Sequence, residues 1–180
     1  PAVVSYDPAF GYEVGHIFKD GLRRMYGEAP ENIYYYLTMY NEPYPQPAEP
    51  ENVDVDGILR GMHLVSTAPD LSGAPRAQVL ASGVGVNWAL RAQELLRDDW
   101  GVAADVWSVT SWNELRRDGL AADRHNLLNP DAEPQRAYVT ERLAGRPGPV
   151  IAVSDYLRAV QDQISDWVPG DFVSLGTDGW

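Results

Sequence analysis

The 180-residue chain is about one domain long, and its 26 Asp and Glu outweigh 14 Lys and Arg for a formal net charge of −12. That balance repels phosphate backbones and anionic lipid heads, so nucleic acid and membrane surfaces are excluded as natural partners, and no Lys/Arg run exceeds two residues. A hydrophobic fraction of 44% gives ample core material and excludes intrinsic disorder, while the absence of cysteine excludes disulfide frameworks, thiolate metal sites and cysteine nucleophiles and fits a reducing compartment. The longest uncharged run, residues 77–90, contains Gln78, Ser82 and Asn87 and is too short and polar to span a bilayer. No signal-peptide pattern is visible, and the apolar start at Pro1 without Met is expected of an internal piece of a longer chain.

Residues 3–6 form a short β-branched run ending in Asp7-Pro8. Asp as N-cap and Pro at the first helical position predict a helix start there. Phe10, Val14, Ile17, Phe18, Leu22 and Met25 follow at helical spacing, and Gly27 ends the helix after Arg23 and Arg24. The aromatic run 33–40 predicts a buried strand, so the first forty residues read as β-α-β, the unit of a parallel sheet. From 41 to 57, Pro43, Pro45, Pro47 and Pro50 alternate with acidic residues. Such proline density forces an extended path, expected as an inter-domain linker or a long surface loop.

Beyond it, strands are predicted at 61–66, 77–82, 104–109, 150–154 and 172–175. A helix follows Gly83-Val84-Gly85-Val86, with Trp88, Ala89, Ala92, Leu95 and Leu96 expected on one side. Ser111-Trp112-Asn113-Glu114 fits a capping box opening a short helix to Gly119, with a second short segment to about 129. Further helices are expected over 134–143 and 155–167. This alternation predicts an α/β fold, a three-layer sandwich with a mostly parallel sheet, over 58–180.

The chemistry-bearing residues are sparse. His16, His63 and His125 are isolated, with no metal spacing, and no serine elbow or Walker loop occurs. Residues 82–87 form a Gly-rich turn between strand and helix. It could present amides to an anion, or simply make a tight turn, and it lacks the third glycine of a dinucleotide fingerprint. The acidic linker carries irregularly spaced carboxylates, expected as a solvated charge run rather than a cation site.

Longer motifs are more specific. Ser5-Tyr6-Asp7-Pro8-Ala9-Phe10 with Glu13, then Asp20-Gly21-Leu22 and Arg24-Met25-Tyr26-Gly27, are followed by Glu31-Asn32-Ile33-Tyr34-Tyr35-Tyr36 with Asn41-Glu42-Pro43-Tyr44. Asp105-Val106-Trp107-Ser108-Val109-Thr110-Ser111-Trp112 with Glu114-Leu115 and Asp118-Gly119, and Leu175-Gly176-Thr177-Asp178-Gly179, complete the set. In order and spacing these resemble the decarboxylating component of the bacterial pyruvate dehydrogenase complex, homodimeric type, of the transketolase superfamily. The resemblance implies three units here: residues 1–40 as the end of a pyrimidine-binding middle domain, 41–57 as linker, and 58–180 as a transketolase-like C-terminal domain that stops short at Trp180.

The parent would be a cytoplasmic homodimer that uses thiamine diphosphate and Mg2+ to decarboxylate pyruvate. It would pass the acetyl group to lipoyl on its partner, the dihydrolipoyl acetyltransferase. The diphosphate motif and the cofactor-activating glutamate of that family are absent from these 180 residues, so no catalytic, cofactor-binding or metal-binding residue is expected in this piece. Tyr6, Asp7 and Glu13 align with a loop and helix start at the edge of the substrate channel. Asp7 and Tyr6 also suit purely structural roles, as helix cap and packing residue. The alternative is a stand-alone interaction module that kept the fold without catalysis.

Overall fold

A computed structural model describes residues 2–41 and 43–178; Pro1, Glu42, Gly179 and Trp180, all named above, lie outside the described residues. The β-branched start forms β1 (Val3–Tyr6), which pairs in parallel with β2 (Tyr34–Leu37) in the register Val3 to Tyr34 through Tyr6 to Leu37. Between them runs α1 (Gly11–Tyr26), ended by Gly27 as expected. The helix does not begin at Asp7-Pro8, as the local pattern predicted. Its N-cap is Phe10, and Glu13 reaches back so that Oε2 accepts the Ala9 and Phe10 amides at 2.6 and 3.1 Å. Asp7 instead accepts the Thr38 hydroxyl at 2.5 Å. β2 is also shorter and more exposed than the aromatic run suggested, with Tyr34 and Tyr36 more than half exposed. Tyr6, Tyr35 and Leu37 turn to the other face and pack with Ile17 and Ile58.

The proline-rich stretch has no helix or strand over 43–50 and turns at 51–52, but the helix α2 (Val55–Arg60) begins inside the range expected to lack regular structure. Asp54 caps it by accepting the Gly57 amide at 2.8 Å. The stretch lies against the body of the chain: Gln46 Oε1 accepts the Gly11 amide at 2.9 Å, and the Tyr44 hydroxyl donates to the Ala9 carbonyl at 2.5 Å.

A five-stranded sheet follows: β3 (His63–Ser66), β4 (Arg76–Ala81), β5 (Ala103–Ser108), β6 (Val150–Val153) and β7 (Phe172–Leu175), in the order β3-β5-β4-β6-β7. Only β3 is antiparallel to its neighbour. Side chains alternate across it. Leu80, Trp107, Val150 and Ala152 face one core with α4 (Trp112–Leu128) and α5 (Tyr138–Leu143). Val79, Ala81, Val106 and Ile151 face a second core closed by α3 (Gly85–Trp100). Helices on both faces make the three-layer α/β sandwich predicted. On α3 only part of the expected stripe is inward: Val86 and Ala89 are buried, whereas Trp88 and Leu95 are exposed.

Three further expectations change. α4 is one continuous helix through Gly119 rather than two pieces. A Cβ at Gly119 would lie 2.4 Å from Cδ2 of Trp167, so the glycine marks a close approach and not a helix stop. The segment predicted as a helix over 155–167 divides into α6 (Arg158–Asp162) and a 3-10 turn, Ser165–Trp167. The helix expected over 134–143 begins only at Tyr138.

Candidate functional site

β1 and β2 end side by side, and their carboxyl ends open into a cleft of about 560 Å3. Tyr6 and Asp7 come from the end of β1 and the residue after it, Tyr36 from β2 and Thr38 from just beyond it. The opposite wall is Trp112 at the start of α4 and Tyr156 in the loop after β6. This wall is held by Ser111, whose hydroxyl accepts the Glu114 amide at 3.0 Å and donates to the Ser5 carbonyl at 2.6 Å. Half of the predicted capping box is therefore present. The returning half is not: the Ser111 amide donates to the Gly61 carbonyl at 3.1 Å, and Glu114 pairs with Arg117.

Of the three residues singled out at the channel edge, two line this cleft. Tyr6 borders it at the end of β1, while its ring packs against Tyr35 on the covered face, its hydroxyl donates to the Leu59 carbonyl at 2.7 Å, and burial pushes its pKa upward. Asp7 is 6% exposed. Burial raises its carboxyl above the ordinary value, opposed by the hydroxyls of Thr38, which donates to Oδ1, and Ser82, and assisted by the nearby charges of Asp155 and Glu13. Among the described residues, Asp7 Oδ2 and the Ser82 hydroxyl are both buried without a hydrogen bond of good geometry, and the two side chains lie close enough for Ser82 to act on the carboxyl.

Glu13 lies elsewhere. It is fully buried, and besides capping α1 it binds His63 of β3 at 2.6 Å through Oε1. This pair joins the first β-α-β unit to the five-stranded sheet. The partnership spans 50 residues, so local pattern reading left His63 as an isolated histidine. Thr38, Trp112 and Tyr156 were likewise not singled out for a site, because only the docking of the two units brings them to one wall. Of the other histidines, His16 pairs with Glu49 at 3.0 Å on the surface and His125 meets Asn129. Among the described residues, no group of three or more His, Asp or Glu could hold a metal ion.

Most amides of the Gly-rich turn are already taken by backbone carbonyls. The Gly83 amide donates to the Asp7 carbonyl at 3.0 Å, and the Gly85, Val86 and Asn87 amides donate to Ser82, Gly83 and Val84 carbonyls. Gly83 has φ +52°, and a Cβ there would lie 2.4 Å from the Tyr40 ring. The Tyr40 hydroxyl in turn donates to Asp155 at 3.0 Å. A diphosphate needs free amides or cations and oxygen ligands for its metal. The turn has no cation and no carboxylate of its own and has most of its amides engaged, so it does not fit a diphosphate with its metal. A second depression of about 570 Å3 lies beside α4, but its central charges are already matched, Arg60 to Asp118 at 3.1 Å.

Residues 61–180 match the family model for the transketolase-like TK C-terminal domain, and residues 1–47 match that for the pyruvate dehydrogenase E1 component middle domain. Over its full length the chain is 59% identical to a pyruvate dehydrogenase E1 component of Mycolicibacterium smegmatis, covering 19% of that protein. It is 42% identical to that of Escherichia coli, covering 20%. The chain thus spans about a fifth of the length of these relatives. Among solved structures it resembles a Campylobacter jejuni transketolase, with TM-score 0.63 at 19% identity over 100% of this chain and 22% of that one. A Pichia stipitis transketolase mutant gives TM-score 0.57 at 16% identity, over 97% of this chain and 21% of the other. The chain belongs to the transketolase-like TK C-terminal domain family, with a pyruvate dehydrogenase E1 middle-domain segment ahead of it.

Proposed function

We propose that these 180 residues are part of a pyruvate dehydrogenase E1 component, the acetyl-transferring enzyme that decarboxylates pyruvate with thiamine diphosphate and Mg2+ and loads lipoyl on a dihydrolipoyl acetyltransferase. The observation that carries this reading is the order of the two family matches, middle domain then C-terminal domain, within one chain 59% identical to such a component throughout. In this reading residues 1–40 close the middle domain, 41–57 link, and 58–180 form the C-terminal domain. The parent works as a cytoplasmic homodimer.

The chain's own part is positional. Glu13–His63 at 2.6 Å and Ser111–Ser5 at 2.6 Å clamp the middle-domain unit onto the C-terminal sheet, fixing the carboxyl ends of β1 and β2. Catalytic power in cofactor enzymes depends on such fixed placement of the groups around the cofactor. Tyr6 and Asp7 form the channel edge, and Glu13 holds the helix behind it.

Calorimetry and activity assays test the reading. The 180-residue chain is expected to bind no thiamine diphosphate with Mg2+ at micromolar concentration and to release no CO2 from pyruvate. The parent polypeptide that contains it is expected to do both and to acetylate lipoyl. A parent that binds the cofactor but leaves pyruvate intact would overturn the assignment of substrate. Micromolar binding by the 180 residues alone would overturn the placement of the cofactor outside them.

A further inference from the structure

The strand order β3-β5-β4-β6-β7 places a topological switch point between β4 and β6. From β4 the chain leaves to α3 on one face of the sheet, and from β6 it leaves to α6, whose Val160 packs on the other face. Loops that part in this way leave a crevice outside the carboxyl ends of the strands, and open α/β sheets hold their ligands there. In this chain a side chain of its own lies across those ends. Tyr40, from the segment after β2, sets its ring against Gly83 at the end of β4, and its hydroxyl donates to Asp155 Oδ1, after β6, at 3.0 Å. Gly83 has φ +52°, and a Cβ there would collide with the phenol, so the turn is shaped for this neighbour.

The same turn holds the first unit a second time. The Gly83 amide donates to the carbonyl of Asp7, just past β1, at 3.0 Å. Two residues before Tyr40, the Thr38 amide donates to the Tyr6 carbonyl at 3.0 Å, and its hydroxyl donates to Asp7 Oδ1 at 2.5 Å. The ends of β1 and β2 are thus tied to each other and, through Asp7 and Tyr40, to one turn of the five-stranded sheet. Burial, then the Asp7 charge and the hydrogen bond to Asp155, push the Tyr40 phenol well above its ordinary value, so it remains a donor.

We propose that Tyr40 is a positioning residue, an internal ligand that fills the switch-point crevice and thereby fixes the carboxyl ends of β1 and β2 at the channel edge. Its effect on catalysis rests on the enzyme reading above; the filling of the crevice does not.

Two measurements test the two halves. In ligand-observed NMR titrations of the 180-residue chain, p-cresol, the detached side chain of tyrosine, is expected not to bind, because its place is taken. Tyr40→Ala is expected to open the crevice to p-cresol in the millimolar range, and adding Asp155→Ala to weaken that binding severalfold. Equal binding by the unsubstituted and Tyr40→Ala chains, or binding by neither, would overturn the filled crevice. In the parent polypeptide, Tyr40→Ala is expected to lower kcat/KM for pyruvate about tenfold while thiamine diphosphate affinity and Tm stay close to those of the unsubstituted parent. Tyr40→Phe, which still fills the crevice, is expected to recover most of that loss. An unchanged kcat/KM in Tyr40→Ala, or a loss of cofactor affinity as large as the loss in kcat/KM, would overturn the positioning role. An unsubstituted parent that leaves pyruvate intact would overturn the enzyme reading and the catalytic half of the proposal with it, while the filled crevice stands or falls with p-cresol.

Discussion

The units β1-α1-β2 and β4-α3-β5 share a parallel register and a helical crossover, yet they bury their strands differently. β5 is buried along its whole length and β4 everywhere but Arg76. β1 alternates between buried and half-buried, and β2 between half-buried and exposed. The cause is the number of layers. β4 and β5 have α3 on one face and α4 with α5 on the other, whereas among the described residues β1 and β2 are covered on one face, where Ile17 and Ile58 pack. Three successive tyrosines in β2 resemble a core strand in sequence, but an apolar run does not say how many faces are covered. The sharpest test pairs one residue from each unit. Trp107→Ala removes a fully buried indole that donates to Gln78 Oε1 at 2.9 Å and is expected to cost about 4 kcal/mol. Tyr36→Ala, on the uncovered face of β2, is expected to cost about 0.5 kcal/mol or less. Urea titrations giving comparable losses would show that both units are covered alike.

The joint between the units comes next in size. Glu13 and His63 are both buried, and Glu13 also satisfies two α1 amides. Glu13→Ala strands those amides and the imidazole, for an expected loss of about 3 kcal/mol. In a double-mutant cycle with His63→Ala the losses should be strongly non-additive, because the pair is one interaction. Additive losses would mean that the two units are held together elsewhere.

These joints explain what was legible in the sequence and what was not. Strand positions followed from β-branched and aromatic runs to within about three residues, the largest miss at the end of β2, since period-2 patterns and flanking Gly or Pro are local signals. The three-layer sandwich followed from their alternation with helices. The start of α1 did not. Asp7-Pro8 carries the local signature of a cap, but Thr38, 31 residues away, takes the Asp7 carboxylate, and Glu13 caps the helix from inside. Gly119 misled in the same way, because the Trp167 ring that requires it lies far along the chain. Of the site, Tyr6 and Asp7 were legible through a family-like motif, whereas Trp112 and Tyr156 reach the cleft only through tertiary docking.

Ser111 separates local capping from docking. Its hydroxyl accepts the Glu114 amide and donates to Ser5, so Ser111→Ala is expected to cost about 1–2 kcal/mol. Ser111→Asp retains an acceptor for the helix but, when ionised, has no proton for the Ser5 carbonyl. It should recover only part of that loss in urea titrations. Full recovery would assign Ser111 to the helix alone and remove it from the joint between the units.

The smallest expected effect concerns Asp7 and depends on pH. Burial raises its folded-state carboxyl above the ordinary value of 3.8, so the folded chain holds this proton more tightly than the unfolded chain does. Its contribution to stability is therefore greatest below the unfolded pKa. It declines as pH rises from there to the raised folded value and is flat above. Glu114, also raised chiefly by burial, acts in the same direction. Asp7→Asn keeps an oxygen for the Thr38 hydroxyl but has no proton to lose. Relative to the unsubstituted chain it should be neutral below about pH 4 and more stable at pH 7, by about 1 kcal/mol or less. Glu114→Gln added to the variant is expected to remove a further part of the decline, whereas Glu31 and Asp98, held low by Arg24 and Arg97, act in the opposite direction. Chemical unfolding at closely spaced pH values decides the point. A variant less stable at pH 7 than at pH 4, relative to the unsubstituted chain, would mean that the Thr38 and Ser82 hydroxyls favour the ionised Asp7 carboxylate by more than its burial costs.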